Sequence, residues 1–199
     1  NADVIIETTF DKDIQFLTEQ ALDVVFQKLK PGSEVQAGVV VMSPDGAVRA
    51  MIGGRKTGLA GSFNRATQAL RQTGSAFKPM VYAAALENGY QYNSILVDEP
   101  ISIETRDGFY EPQNYSRTFD GKVSLTEALA KSTNTVAIKV SEEIGRSRVK
   151  AIANDFGIKS YVPLVPSMAL GTGESTLLEM TGAYAGILNK GISSILSGL

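Results

Sequence analysis

Pro79 restricts how this chain can fold more than any other single residue. Proline has no backbone N–H, and its ring collides with the carbonyl four residues earlier, so an α-helix accepts it only in the first turn. The run Phe77, Met80, Val81, Ala83, Ala84, Ala85 and Leu86 is apolar on nearly every side of a helix and ends at Asn88-Gly89, a helix-stop pair. A buried central helix therefore begins near Ser75 and points Lys78 inward from its first turn. The stretch Gly74 to Pro79, GSAFKP, then carries a hydroxyl at a helix tip and an amine three residues on, along the same face.

That pairing matters because the usual partners of a nucleophile are missing. The 199 residues include no His and no Cys, which excludes disulfides, a thiolate nucleophile, a Ser-His-Asp triad and an ordinary zinc site. A serine attacks only when something takes its proton. A lysine pressed into apolar surroundings has its charged form disfavoured, so its pKa falls towards the range of a general base. The helix N-terminus favours the negative charge that an attacking alkoxide or an oxyanion develops. Serine is also a preferred helix N-cap, however, and 17 serines with 11 lysines produce roughly one Ser-x-x-Lys by chance. A second example, Ser147 with Lys150, is present, so the spacing alone does not decide between catalyst and cap.

The rest of the chain alternates helix and strand. Val4 to Phe10 has strand composition; Asp11 or Asp13 caps a helix whose Ile14, Leu17, Ala21, Leu22, Val25 and Leu29 recur at helical spacing until Lys30-Pro31-Gly32. Two β-rich runs, VQAGVVVM and AVRAMIGG, are joined by Ser43-Pro44-Asp45-Gly46, a turn in which proline presets one dihedral and glycine takes the strained one. Gly53, Gly54, Gly58 and Gly61 make a loose loop, and no repeat or linker interrupts the chain. With 43% apolar and 20% charged residues this is a globular domain with a proper core. A net charge of −2 without a basic run offers nothing to nucleic acid or to an acidic membrane surface. No apolar run reaches bilayer length and the N-terminus lacks signal-peptide patterning, so any membrane attachment is expected to come from an anchor outside these residues.

A second cluster of polar residues sits further along. Ser124 with Glu127 is a capping box opening a short helix through Leu125, Ala128 and Leu129, and helical spacing resumes from Val136 to Ile144 before Gly145. Ser132, Thr133 and Asn134 fall at the break. A hydroxyl and a carboxamide two residues apart in a tight inter-helix turn can face one cleft, the first passing a proton and the second holding a lysine or a substrate amide. These residue types also populate turns for purely local reasons, and Ser62-Phe63-Asn64 repeats the spacing.

In this order and with these neighbours, RQTGSAFKP, EPQNYS and SLTEALAKSTNTVAIKV resemble the transpeptidase domain of class A, bifunctional penicillin-binding proteins, with Ser-x-x-Lys and Ser-x-Asn as the first two motifs. The likeness runs from about Val4 to Lys190 and takes in ALGTGESTLLEMTGAYAGILNKG. It implies an α/β fold of the penicillin-binding-protein and serine β-lactamase type: an antiparallel sheet flanked by helices with a helical subdomain, its last strands missing. Residues 1–36 would lead into the domain and 37–199 would form a partial transpeptidase domain. By the same resemblance Ser75 is the acylated nucleophile, Lys78 the base or proton relay, Ser132 a proton shuttle and Asn134 a substrate-amide contact, with Gln113 and Asn114 on the substrate side of the cleft.

The implied reaction is acyl transfer from D-alanyl-D-alanine stem peptides of peptidoglycan to a neighbouring amine, outside the cytoplasmic membrane or in the periplasm of a bacterium, with β-lactams as covalent inhibitors and no metal or organic cofactor needed. A serine β-lactamase, a non-catalytic β-lactam sensor and a scaffold domain are the alternatives. The family's third motif, Lys-Thr-Gly after the second, is absent at its place. Lys56-Thr57-Gly58 precedes Ser75 in the glycine-rich loop and is read as coincidence. Arg55 before Lys56 likewise rules out a phosphate-binding loop.

Overall fold

The computed structural model describes residues 5–55 and 61–192. Val4, the triplet Lys56-Thr57-Gly58 and the tail beyond Ile192 lie outside the described residues. The chain forms two compact units, one of Asn1–Arg71, Phe156–Lys159 and Ser175–Leu199, the other of Gln72–Asp155 and Ser160–Glu174.

In the first unit Asp11 starts α1 (Lys12–Leu29) by accepting from the N–H groups of Asp13 and Ile14, and Lys30 ends it in the left-handed region at φ +45°. The expected hairpin is β1 (Val39–Met42) with β2 (Val48–Ile52), antiparallel, its register slipping by one residue between Val41 and Met42. Gly46 takes φ +88° in the turn, and the Asp45 carboxylate accepts from Ser43 Oγ at 2.6 Å. α1 packs on β2, where Gln15 both donates to and accepts from the Met51 backbone, and α6 (Leu177–Leu188) packs on β1. Thr176 and Glu179 close a capping box on α6. The helical periodicity of α1 identifies the helix but not its burial: none of its residues is buried, and Leu17 and Leu29 stay mostly exposed.

The strand expected over Val4 to Phe10 does not form in the described part, 5–10. This segment reaches β2 through Asp11 N–H to Arg49 O and Thr9 Oγ1 to Val48 O, and two such bonds do not make a ladder. β-Branched composition is a preference for a pleated, half-buried surface, and Ile5 and Ile6 remain exposed.

The two-residue strands β3 (Arg71–Gln72) and β8 (Glu174–Ser175) lie where the chain passes from one unit to the other. The second unit is mainly helical. A 3-10 turn, Gly74–Phe77, leads directly into α2 (Lys78–Glu87), so Pro79 falls in the first α-helical turn as its chemistry requires. α2 packs against α4 (Asn134–Ile144) and α5 (Arg146–Asp155), with Met80, Val81, Ala84, Val136, Ile138, Val140, Val149 and Met168 fully enclosed. Its apolar character is not carried all round, because Leu86 is half exposed. Beside these helices β4 (Ile95–Asp98) pairs antiparallel with β7 (Gly121–Ser124), and β5 (Ile103–Thr105) with β6 (Gly108–Tyr110). The capping box of Ser124 and Glu127 opens α3 (Leu125–Ala130). The fold is thus mixed α/β, with antiparallel strands and a helical subdomain around the Ser75 segment. Among the described residues no helix is long and apolar enough to cross a membrane.

Candidate active site

The site is built from two helix ends in the second unit. Ser75 lies in the 3-10 turn at the tip of α2, exposed, and its carbonyl accepts from Lys78 N–H. Gly74 adopts φ +54° to make the approach, a conformation that side-chain-bearing residues avoid. The turn is tied down from the other side by Gly74 N–H to Gly171 O at 3.0 Å and Thr73 N–H to Gly173 O at 3.3 Å. Gly171 sits so close that a Cβ there would stand 2.1 Å from Gly74 O.

Lys78, one turn further, is 1% exposed. Its ammonium donates to the Ser132 carbonyl, to Ser132 Oγ at 2.9 Å and to Asn134 Oδ1 at 2.7 Å, so all three N–H donors are engaged. Burial pushes the Lys78 amine down from its ordinary 10.5 to about 8. The three partners are uncharged, so no opposite charge in direct contact offsets the burial. At pH 7 about one-tenth of such an amine is already neutral.

The partner turn owes its shape to the way α3 ends. Ser132 N–H donates to Leu129 O and Thr133 N–H to Ala128 O, the paired bonds of a Schellman motif, with Ser132 at the left-handed position, φ +55°. Glycine normally stands there, because a side chain at that φ costs on the order of 1 kcal/mol or more. Here the serine stays, and both its carbonyl and its hydroxyl aim at Lys78. α4 begins two residues later with Asn134, whose Oδ1 meets Lys78 while its Nδ2 donates to Gln113 O at 2.9 Å.

The structure therefore brings together Lys78, Ser132, Asn134 and the Gln113 backbone. The Ser75 hydroxyl makes no hydrogen bond to Lys78; its proximity is that of one helical turn. The Gln113 side chain is exposed, whereas Asn114 is 8% exposed and has no polar atom left over. The Asn114 amide donates to both Asp98 oxygens and to Thr118 O, and its oxygen accepts from Asn134 and Thr135 N–H. Asn114 thus turns its side chain into the protein and backs the start of α4. Asp98 and Thr135, buried in the same network, carried no motif that could have singled them out. The two decoy patterns resolve into local roles. Ser147 is exposed on α5 and Lys150 lies over the Tyr161 ring at 5.7 Å, while Asn64 Oδ1 accepts from Ala66 N–H in a turn.

A family model for the penicillin-binding protein transpeptidase domain matches residues 37–195. The chain belongs to that family. Among penicillin-binding proteins, protein 1A of Rickettsia felis is 38% identical over 189 residues, which are 90% of this chain and 24% of that protein. Penicillin-binding protein 1A of Pseudomonas aeruginosa is 39% identical over 160 residues, 78% of this chain and 19% of that protein. The chain thus spans about a quarter or less of the length of these relatives. Of solved structures, PonA1 from Mycobacterium tuberculosis in complex with penicillin V superposes with TM-score 0.82 at 28% identity, covering 97% of this chain and 53% of that one. Penicillin-binding protein 1A of Haemophilus influenzae gives TM-score 0.71 at 37% identity, covering 76% of this chain and 23% of that one.

Proposed function

We propose that this transpeptidase domain catalyses acyl transfer between peptidoglycan stem peptides, with Ser75 as nucleophile, Lys78 as base, Ser132 as proton shuttle and Asn134 as the residue that holds Lys78 and then a substrate amide. The observation that carries this reading is the buried Lys78 amine, shared between Ser132 and Asn134 one helical turn from an exposed serine, in a chain with no histidine to act instead.

The geometry suggests how the parts divide the work. When Lys78 is neutral it has two N–H donors and one lone pair. Asn134 Oδ1 and the Ser132 carbonyl occupy the donors, and the lone pair takes a proton either from Ser75 directly or through the Ser132 hydroxyl. Ser75 Oγ attacks the carbonyl carbon between the two terminal D-alanines, and its proton goes to Lys78. Collapse of the tetrahedral adduct breaks the C–N bond, and the proton returns through Ser132 to the departing D-alanine amine. An amine of a neighbouring stem then attacks the Ser75 ester, loses its proton to Lys78 and forms the cross-link, while Ser75 recovers its hydrogen. The Gln113 side chain is exposed, which leaves it available to an incoming peptide.

A β-lactam mimics the terminal dipeptide and acylates the same serine, and the complex of the PonA1 relative with penicillin V supports β-lactam binding by this fold. The substrate lies outside the cytoplasmic membrane, so the domain acts there, with residues 1–36 leading into a transpeptidase domain at 37–199. Labelling with a fluorescent penicillin beside a Ser75→Ala control tests the assignment. A covalent adduct on the unaltered protein only is expected, and equal signal from both would remove Ser75 from its role.

A further inference from the structure

We propose that Asp98 is a positioning residue for acyl transfer, acting through Asn114 on the start of α4 and so on the two groups that hold Lys78. The inference rests on the assignment of Ser75 and Lys78 above.

The argument begins with an uncapped helix. Thr133, at the N-cap of α4, makes no side-chain hydrogen bond to the helix, so the first N–H groups of α4 need another acceptor. Asn114 supplies it from outside: its Oδ1 accepts from Asn134 N–H at 2.9 Å and Thr135 N–H at 3.3 Å. A carboxamide can do this in only one of its two orientations, since the flipped group would present NH2 to two donors. What selects the orientation is a set of pure acceptors on the other side. Asn114 Nδ2 lies 2.8 and 3.0 Å from the two oxygens of Asp98 and 3.0 Å from Thr118 O.

Asp98 is in turn held in place and held ionised. It is 2% exposed at the end of β4 and accepts from Thr135 Oγ1 and, at 2.8 Å, from Asp120 N–H. Burial pushes its carboxyl up, but the bonds from Thr135, Asp120 and Asn114 outweigh that and leave it below the ordinary value. Among the described residues no cation stands within ion-pair distance of it, and Lys139 is engaged by Val97 O and Glu99. A buried carboxylate is costly unless fully hydrogen-bonded, and this one is surrounded by donors. The result is one continuous path, Asp98 to Asn114 to Asn134 to Lys78, of three hydrogen-bonded steps. Asn114 fixes the backbone of Asn134 at the first turn of α4, and from that backbone the Asn134 side chain reaches Lys78. Because Asn134 and Ser132 flank Thr133 in the same tight turn, movement of one displaces the other.

The test is single-turnover labelling by a saturating fluorescent penicillin in the intact protein, which reads two quantities separately. The amplitude counts molecules with a folded, competent site, and the rate constant reports how well each competent site is aligned. Asp98→Asn keeps the shape but sets an NH2 against donors, freeing the Asn114 amide to turn. The expected result is a rate constant lower by on the order of tenfold to a hundredfold per labelled molecule, because displacements near 1 Å carry losses of that size. A purely structural role would lower the amplitude and the melting temperature and leave the rate constant within about twofold of wild type, which would overturn the proposal. Thr135→Val deletes a single donor to Asp98 with the volume kept, and serves where Asp98→Asn does not fold. Slower labelling by about threefold or more supports the role of Asp98, and a wild-type rate constant overturns it. Failure of the underlying assignment looks different: the unaltered protein would take no label at all, or the Ser75→Ala control would take as much.

Discussion

Lys78 Nζ lies 2.9 Å from Ser132 Oγ although 54 residues separate the two in the chain. One residue is at the start of a helix and the other in the turn that ends another helix, and both are placed by backbone geometry. Pro79 forces α2 to begin where it does, and a Schellman motif turns Ser132 inward. Burial keeps the amine's affinity for the proton low, and its three neutral acceptors offset that less than a carboxylate would.

The first prediction concerns pH. With Lys78 as the proposed base, the labelling rate constant should rise tenfold per pH unit at low pH and level off near pH 8, where burial has brought the amine down from 10.5. The unfolded chain keeps that proton up to its ordinary pKa while the native chain has released it. Lys78 therefore contributes stability at pH values above 10.5 that is lost as pH falls through 8. Penicillin labelling followed from pH 6 to pH 10 measures the kinetic limb, and a rate constant still climbing steeply between pH 9 and pH 10 would contradict the assignment.

Asn134→Asp places a carboxylate where an amide oxygen now meets Lys78 at 2.7 Å. An opposite charge at that distance favours the ammonium, so the alkaline limb should move up by about one unit or more and labelling at neutral pH should fall. The same pH series on the variant reads the shift directly.

Ser132 separates strain from function. Ser132→Gly and Ser132→Ala both delete the hydroxyl, and both should label slowly. Only glycine relaxes the φ of +55°, so it should be the more stable of the two by about 1 kcal/mol, or a few degrees in Tm for a chain of this size. Thermal melting of the two variants side by side tests this, and equal Tm values would mean that the backbone there carries no strain.

Gly171 should tolerate no side chain. A Cβ would stand 2.1 Å from Gly74 O and 2.5 Å from Thr73 Oγ1, and φ is +71° as well. Gly171→Ala must push the Ser75 turn aside or forfeit the Gly74 to Gly171 hydrogen bond, with a loss of roughly 2–4 kcal/mol in stability and a slower acylation rate. Denaturant melting and penicillin labelling measure the two effects. Normal labelling by this variant would show that the Ser75 turn does not depend on its neighbour.

Local chemistry made several features legible in the sequence. The start of α2 follows from Pro79, the ends of α1 from Asp11 and Lys30-Pro31-Gly32, the β1–β2 turn from Pro44, Asp45 and Gly46, the start of α3 from its capping box and the end of α4 from Gly145. Each is decided by bonds within a few residues, so the chain written out is enough. The same reasoning failed over the described residues 5–10, where strand-like residues have no ladder to join, and it left open whether the Asn114 amide faces solvent or core.

What the sequence by itself determined, then, is which residues could do chemistry and where the helices bearing them begin: a serine and a lysine one turn apart, and a second serine and an asparagine at a turn. The tertiary structure alone decided that the lysine of the first pair is buried against the second, that Ser132 takes a glycine's conformation to reach it, and that Asp98 backs the arrangement through Asn114. The physical reason is that burial and long-range hydrogen bonding depend on what packs from elsewhere in the chain. A lysine's pKa and an amide's orientation are properties of that surrounding, which no window of neighbouring residues contains.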